Sequence, residues 1–345
     1  MRAAAGIALV VVLPLAIACA RPVEVNPAPN AVAVIWREPP ASSDPPLPPV
    51  PPFRFIEEDF EGASPKFLVE DGNGLRWQVK LGPEAQAETV AVRLMAATGY
   101  FTEDTFLLPE APVAGLGRLK RGREFVDAGN VARTARFEAR PVTIRRGDTW
   151  DWARNPFTGT RELDGLRTLM VLFNNYDART ANNRVLEVSR GDRIERRFVV
   201  ADAGASFGRY GGLGGRRTKN DLEGYRASAF IDDVKDGEVH FAYRTRPQGW
   251  GHTLFVLNPF YVAGEIKKER DLRRIPVTAA RWIGERLAQL PPGTLRHAFD
   301  DAGYPPQVAA AYVEALTARI AALRRIDATA GPLRPAVEAR SPAAR

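Results

Sequence analysis

Asn174-Asn175-Tyr176-Asp177-Ala178-Arg179-Thr180-Ala181-Asn182-Asn183 follows directly on an apolar run from Leu163 to Phe173, and the reading of the fold turns on this stretch. Asparagine is an ordinary turn residue, but four of them around one aspartate exceed what a turn needs. Asp177 and Asn182 stand five residues apart, the spacing at which one loop offers a carboxylate base and a metal-binding amide. Downstream, Val199-Val200-Ala201-Asp202-Ala203-Gly204-Ala205-Ser206-Phe207-Gly208 brings an aspartate out of an apolar strand, and its glycines permit a sharp turn around a metal site. Upstream, Lys80 closes a strand and precedes a helix bearing Glu84 and Glu88. A lysine so placed can meet phosphates as a point charge while a helix carboxylate steadies its ammonium group.

Working outward, Lys66–Val69 and Leu75–Leu81 are predicted strands joined by the turn Glu70-Asp71-Gly72-Asn73-Gly74. Gly82-Pro83-Glu84 opens a helix whose apolar positions Val90, Leu94 and Ala97 repeat at helical spacing until Gly99 ends it. Strands are expected at Thr105–Leu108 and near Phe137–Val142, with a short pair at Val185–Val188 and Phe198–Ala201. After Asp151 the pattern is mainly helical, most clearly at Leu163–Phe173, Ala279–Leu290 and Pro306–Ile326. The fold class expected is α+β.

The N-terminus is read as an export signal over residues 1–20: Arg2, an apolar run broken by Pro14, then small residues. Ala18-Cys19-Ala20 fits ordinary signal-peptidase cleavage and a released protein. Ala16-Ile17-Ala18-Cys19 resembles a bacterial lipobox, with Ala in place of the usual Leu, and would place a lipid on Cys19. Cys19 is the sole cysteine, so the body holds no disulfide or thiolate metal site. Residues 21–53 are proline-dense and are expected to act as a polyproline spacer outside any core. Residues 329–345 read as a disordered tail.

The formal charge is +7, yet 41 arginines and 7 lysines are scattered among 41 acids. No basic run is interleaved with aromatics, which argues against a specific nucleic-acid partner. His240, His252 and His297 lack ligand spacing, so no zinc site is expected. Gly211-Gly212-Leu213-Gly214-Gly215-Arg216-Arg217 lacks the Lys-Ser/Thr ending of a Walker loop and is read as a loop where a substrate could dock. Ser206 lacks a G-x-S-x-G setting, against a serine hydrolase. Trp150, Trp152 and Trp250 are read as core or interface anchors.

The order Lys80, helix Glu, Asp177-x-x-x-x-Asn182, Asp202-x-Gly204 resembles that of the protein-kinase-like superfamily, in its atypical members. Asp177–Asn182 is similar to the catalytic loop of HipA toxin kinases and phosphatidylinositol kinases, and Asp202–Gly208 to the metal segment of Fam20-type kinases. The body from about Arg54 to Ile326 also resembles a family of uncharacterised bacterial exported proteins. The resemblance implies a two-lobed fold, with a small β-rich N-lobe (54–142) carrying one main helix and a larger, mostly helical C-lobe (143–328). It implies Asp177 and Lys80 as catalytic residues, Lys80 with Glu88 or Glu84 at the nucleotide, and Asn182 and Asp202 as ligands of Mg²⁺ or Mn²⁺ accompanying ATP. The chain departs from the pattern in two places. Glu61-Gly62-Ala63-Ser64-Pro65-Lys66 has one glycine where a G-x-G-x-x-G loop would stand, and Asn175-Tyr176 replaces His-Arg. The expectation is an exported phosphotransferase of the cell envelope, periplasmic or lipid-anchored, with an unknown acceptor. The alternative is a catalytically inactive kinase-fold lipoprotein acting as a binding or scaffolding module, favoured by the missing glycines and an envelope without a known ATP pool. A third option is binding of acidic envelope polymers through the arginines.

Overall fold

Phe67 and Val69 on one strand and Trp77 and Val79 on the next alternate with less buried neighbours, so each strand buries one face. In the computed structural model, which describes residues 30–39, 46–211, 217–245 and 259–326, these strands belong to a closed barrel. It is built from β2 (Phe53–Asp59), β3 (Lys66–Glu70), β4 (Arg76–Lys80), β5 (Thr105–Ala114) and β6 (Val131–Ala139), in the order β2-β3-β4-β6-β5. Phe53, Phe67, Trp77, Val79 and Phe137 fill it. Asp71 fixes the β3–β4 turn by accepting from the Asn73 and Leu75 amides and from Trp77 Nε1, each at 2.9 Å.

A second and larger core gathers around α2 (Arg161–Leu172), α5 (Val277–Ala288) and α7 (Pro306–Arg324). Further helices are α3 (Leu222–Ala227), α4 (Pro259–Arg273) and α6 (Thr294–Asp300). The four-stranded sheet β1-β9-β8-β7 combines β1 (Ala31–Val34), β7 (Ile144–Arg146), β8 (Asn183–Arg190) and β9 (Arg193–Val200). A three-stranded sheet holds β10 (Ile231–Lys235), β11 (Glu238–Phe241) and β12 (Arg274–Pro276). Helix α1 (Glu84–Ala97) follows the barrel strand β4, yet Ala87, Val90, Ala91, Leu94 and Met95 bury into the larger core.

Three expectations need correcting. The spacer reading of residues 21–53 fails over its described middle: β1 pairs in parallel with β9, from Ala31 opposite Ile194 to Val34 opposite Arg197. Ile35 is buried, and Trp36 meets Trp282 edge-on at 5.5 Å. Residues 30–38 are free of proline, and the high local average concealed a strand-competent Ala-Val-Ala-Val run. Trp36 Nε1 donates to the Thr98 carbonyl at 2.7 Å and the Arg37 amide to that of Gly99 at 2.9 Å. Gly99 (φ +99°) is required at this joint, because a Cβ there would lie 2.3 Å from the Arg37 oxygen. Strand β5 runs on to Ala114 through Pro109 and Pro112; over most of its length it pairs only with β6, and its open edge tolerates residues without an N–H. Strand β6 starts at Val131, earlier than expected, and ends at Ala139. Export signal, Cys19, residues 212–216, Trp250, His252 and the 329–345 tail lie outside the described residues.

Candidate functional site

Lys80 is the last residue of β4, and the pleat turns it out of the barrel's apolar interior toward the first turns of α1. Its Nζ lies 2.7 Å from Glu88 Oε2, 3.2 Å from Asp202 Oδ1 and 3.4 Å from Glu84 Oε2. Glu84 and Glu88 sit four apart on α1, one turn of helix, so both can face one amine. Burial alone would lower the Lys80 pKa; Glu88, Asp202 and Glu84 outweigh it and hold the ammonium above its ordinary range. Glu84 also accepts from Lys219 and Ser64. Burial would raise its carboxyl, but Lys80, Lys219 and Ser64 hold it down at about 2.

Glu88 is fully buried. Beyond Lys80 it faces the buried Arg136 guanidinium at 3.5 Å and accepts from the Ala203 amide at 3.4 Å. Arg136 in turn pairs with Glu138 at 2.6 Å. Two barrel strands, α1 and the segment after β9 thus share one desolvated ionic cluster, whose charges are tolerable only because they are matched.

The Asp177 loop is held from several sides. Asn174 takes a left-handed conformation (φ 56°), and its Oδ1 accepts from the buried Arg319 of α7 at 2.6 Å. Tyr243 donates to the Asn175 carbonyl at 2.7 Å and Lys268 to the Tyr176 carbonyl at 2.6 Å. Asn182 Nδ2 donates to the Asp177 carbonyl at 2.7 Å and to its Oδ2 at 3.1 Å. Arg179 pairs with the same carboxylate at 3.0 Å. The Ala201 and Asp202 amides donate to the Asn182 carbonyl at 2.8 and 3.1 Å, which sets Asp202 beside Asn182. The Gly204 amide holds Asp202 Oδ1 at 3.0 Å. A Cβ on Gly204 would meet Glu84 Cβ at 2.8 Å, so this glycine permits the close approach of the Asp202 segment to α1.

Lys80, Glu88, Asn182 and Asp202 line one cleft of about 740 Å³. Glu84 adjoins it through Lys80. Asp177 is not in the cleft wall and is joined to it through Asn182. Sequence reasoning missed Arg136, Lys219, Lys268 and Arg319. Each is a long-range partner, and among 41 arginines no local pattern marks Arg136 or Arg319.

The donor set suits a hard divalent cation. Asn182 Oδ1 and Asp202 Oδ2 stay outside every hydrogen bond and ion pair among the described residues, and both are oxygens. No cluster of three or more His, Cys, Asp or Glu is arranged to hold a metal among the described residues. Two protein oxygens suit Mg²⁺, which keeps its waters and is commonly shared with phosphates.

No protein-family model matches the chain, and no curated protein matches it. Among solved structures, the chain is similar to the Helicobacter pylori proinflammatory kinase CtkA. Identity is 13%, coverage 80% of this chain and 94% of that one, and the TM-score 0.40. It is also similar to the Golgi casein kinase with Mn/ADP bound, at 11% identity over 80% of this chain and 73% of that one, TM-score 0.34. A second structure of the Golgi casein kinase gives 11% identity, the same coverage and a TM-score of 0.33.

Proposed function

We propose that this chain is a two-lobed, kinase-like phosphotransferase that holds a metal–nucleotide complex in the cleft between the barrel and the larger core. The observation that carries this reading is the convergence of Lys80, Glu88 and Asp202. A barrel strand, a helix and a segment more than a hundred residues downstream bring their charges within 3.2 Å of one amine at a solvent-open cleft. Lys80 would contact phosphate oxygens as a point charge, with Glu88 and Glu84 fixing its Nζ. Asn182 Oδ1 and Asp202 Oδ2 would hold the divalent ion, which when bound offsets the charge on the phosphates. Asp177 would orient an acceptor hydroxyl and take its proton; the acceptor oxygen bonds to the terminal phosphorus as the bond to the nucleoside diphosphate breaks.

Thermal unfolding provides the test. ATP with Mn²⁺ should raise the Tm of the wild-type protein, because a ligand of the native state stabilises it. Asp202→Ala should lose that rise, and equal stabilisation of the two proteins would end the reading. One observation favours a non-catalytic binding module instead. The β2–β3 loop is pinned in place, with Ser64 bonded to Glu84 and Arg121 donating to the Gly62 and Asp59 carbonyls at 2.8 and 2.7 Å. A Tm rise without phosphate transfer to any acceptor would select that module.

Export and attachment to a membrane through Cys19 belong to the same proposal, on the strength of the lipobox-like Ala16–Cys19. Expressed in a bacterium, the wild-type chain should sediment with membranes, and Cys19→Ser should move it to the soluble periplasmic fraction. Identical distribution of the two would remove the anchor.

A further inference from the structure

Asn182 is followed at once by β8, and Arg184 points from that strand into the same cleft. Its guanidinium makes no hydrogen bond or ion pair among the described residues, and its Nε is shielded from solvent with no acceptor. Beside it on β7 stands Arg146, whose register partner on β8 is Leu186. Burial and the neighbouring Arg184 depress the Arg146 guanidinium to about 10. Two carboxylates at this end are already engaged, while Glu61 acts on Arg146 without an ion pair among the described residues. Glu103 pairs with Arg140 and Arg146, and Glu138 pairs with Arg136 and Arg140.

The cleft thus brings carboxylates and guanidinium groups together in one wall. At the Lys80 end, Glu84, Glu88 and Asp202 are met by Lys80, Lys219 and, behind Glu88, Arg136, and the oxygen left over for a cation is Asp202 Oδ2. At the other end Glu103, Glu138 and the more distant Glu61 serve Arg136, Arg140 and Arg146, and Arg184 makes no ion pair among the described residues. The Arg184 Nε has lost water and gained no acceptor, while the two terminal nitrogens stay open to a ligand in the cleft.

We propose that Arg184, with Arg146 beside it, forms a subsite for a ligand group that presents two adjacent hydrogen-bond acceptors and no donor. A guanidinium offers paired N–H donors in a planar fork, matched by the N7/O6 edge of guanine or by two oxygens of a phosphate or carboxylate. The corresponding edge of adenine pairs an acceptor with an amino donor and turns like against like. This inference rests on the nucleotide reading of the same cleft, and specifies what lies two residues along the chain from Asn182.

The experiment measures affinities of the full-length mature chain for Mn²⁺ with GTP, with ATP and with tripolyphosphate, and for inorganic phosphate alone. It compares wild type with Arg184→Ala and with Arg184→Gln, which keeps the side-chain stem. The expected result is GTP binding about tenfold tighter than ATP in the wild type, with the preference lost in both variants and tripolyphosphate unaffected. Equal binding of ATP and GTP, with phosphate alone binding the wild type and neither variant, identifies an anionic group as the occupant and supports the subsite. Affinities that do not change in either variant overturn it, whereas equal loss of tripolyphosphate and GTP binding makes a phosphate the occupant of the subsite. Phosphate bound through Arg184 in a protein that takes no Mn²⁺–tripolyphosphate would leave the subsite standing and remove the nucleotide reading. Absence of all binding removes both.

Discussion

Glu88→Ala is expected to lower the unfolding free energy by about 3–5 kcal/mol, the magnitude found when one partner of a buried ion pair is removed. Glu88 is fully buried, 2.7 Å from Lys80 and 3.5 Å from Arg136. Without it two buried cations face each other across a cavity, and the Ala203 amide loses its acceptor. Glu88→Gln keeps the volume and an acceptor oxygen, so its loss should be smaller. Combining Glu88→Leu with Lys80→Met should recover much of the difference, because an apolar pair carries no desolvation cost. Urea unfolding followed by the fluorescence of buried Trp77 and Trp150 measures each case. A loss below about 1 kcal/mol for the alanine variant would mean that water reaches the cluster and screens it.

Acid should weaken the fold steeply between pH 4.5 and 3. Glu84 and Glu138 are each held at about 2 against an ordinary 4.5. For Glu138, burial pulls the other way and Arg140 and Arg136 prevail. A carboxyl depressed in the folded state contributes its full stabilisation above the unfolded pKa. As pH falls below 4.5 the unfolded chain takes up protons that the folded chain refuses, and the contribution is gone once pH passes the folded value. At 1.36 kcal/mol per pH unit, each glutamate accounts for about 3 kcal/mol, of which about 2 is lost by pH 3. Glu88 opposes this trend, since burial raises its carboxyl and lets the folded state protonate first. Urea midpoints at pH 7 and pH 3 test the sum. Glu138→Gln should flatten the acid limb, and a stability unchanged from pH 5 to pH 3 would refute the assignment.

The elements that bring the cleft together could be read from local sequence. The Lys80 strand, the α1 start at Glu84, the apolar α2 and the Asp202 segment each carry their own signal in alternation, capping or an apolar-to-acidic break. Charge partnership was not legible. Arg136, Arg184 and Arg319 owe their roles to which strand or helix lies opposite, and a guanidinium carries no mark of its future neighbour. The same limit hid β1, because its partner β9 lies about 160 residues away, and hid β12, which pairs with β11 across helix α4; the β10–β11 hairpin, turning at Asp236-Gly237, is local and carried a readable turn signal. The second half of β5 was obscured for a different reason: its prolines read as strand breakers, and they are accepted because β2 joins β5 only at Val113 and Ala114, beyond both of them.

Lys80 and Glu88 are neighbours in the chain but belong to different foundations. Val79 anchors the amine in the barrel, whereas Ala87, Val90 and Ala91 seat the carboxylate in the other body. Their 2.7 Å separation is therefore a gauge of how the two halves mate. A methyl group added or lost deep in either half would register as misalignment at a spot it never touches, and sequence drift on one side would call for a matching adjustment on the other.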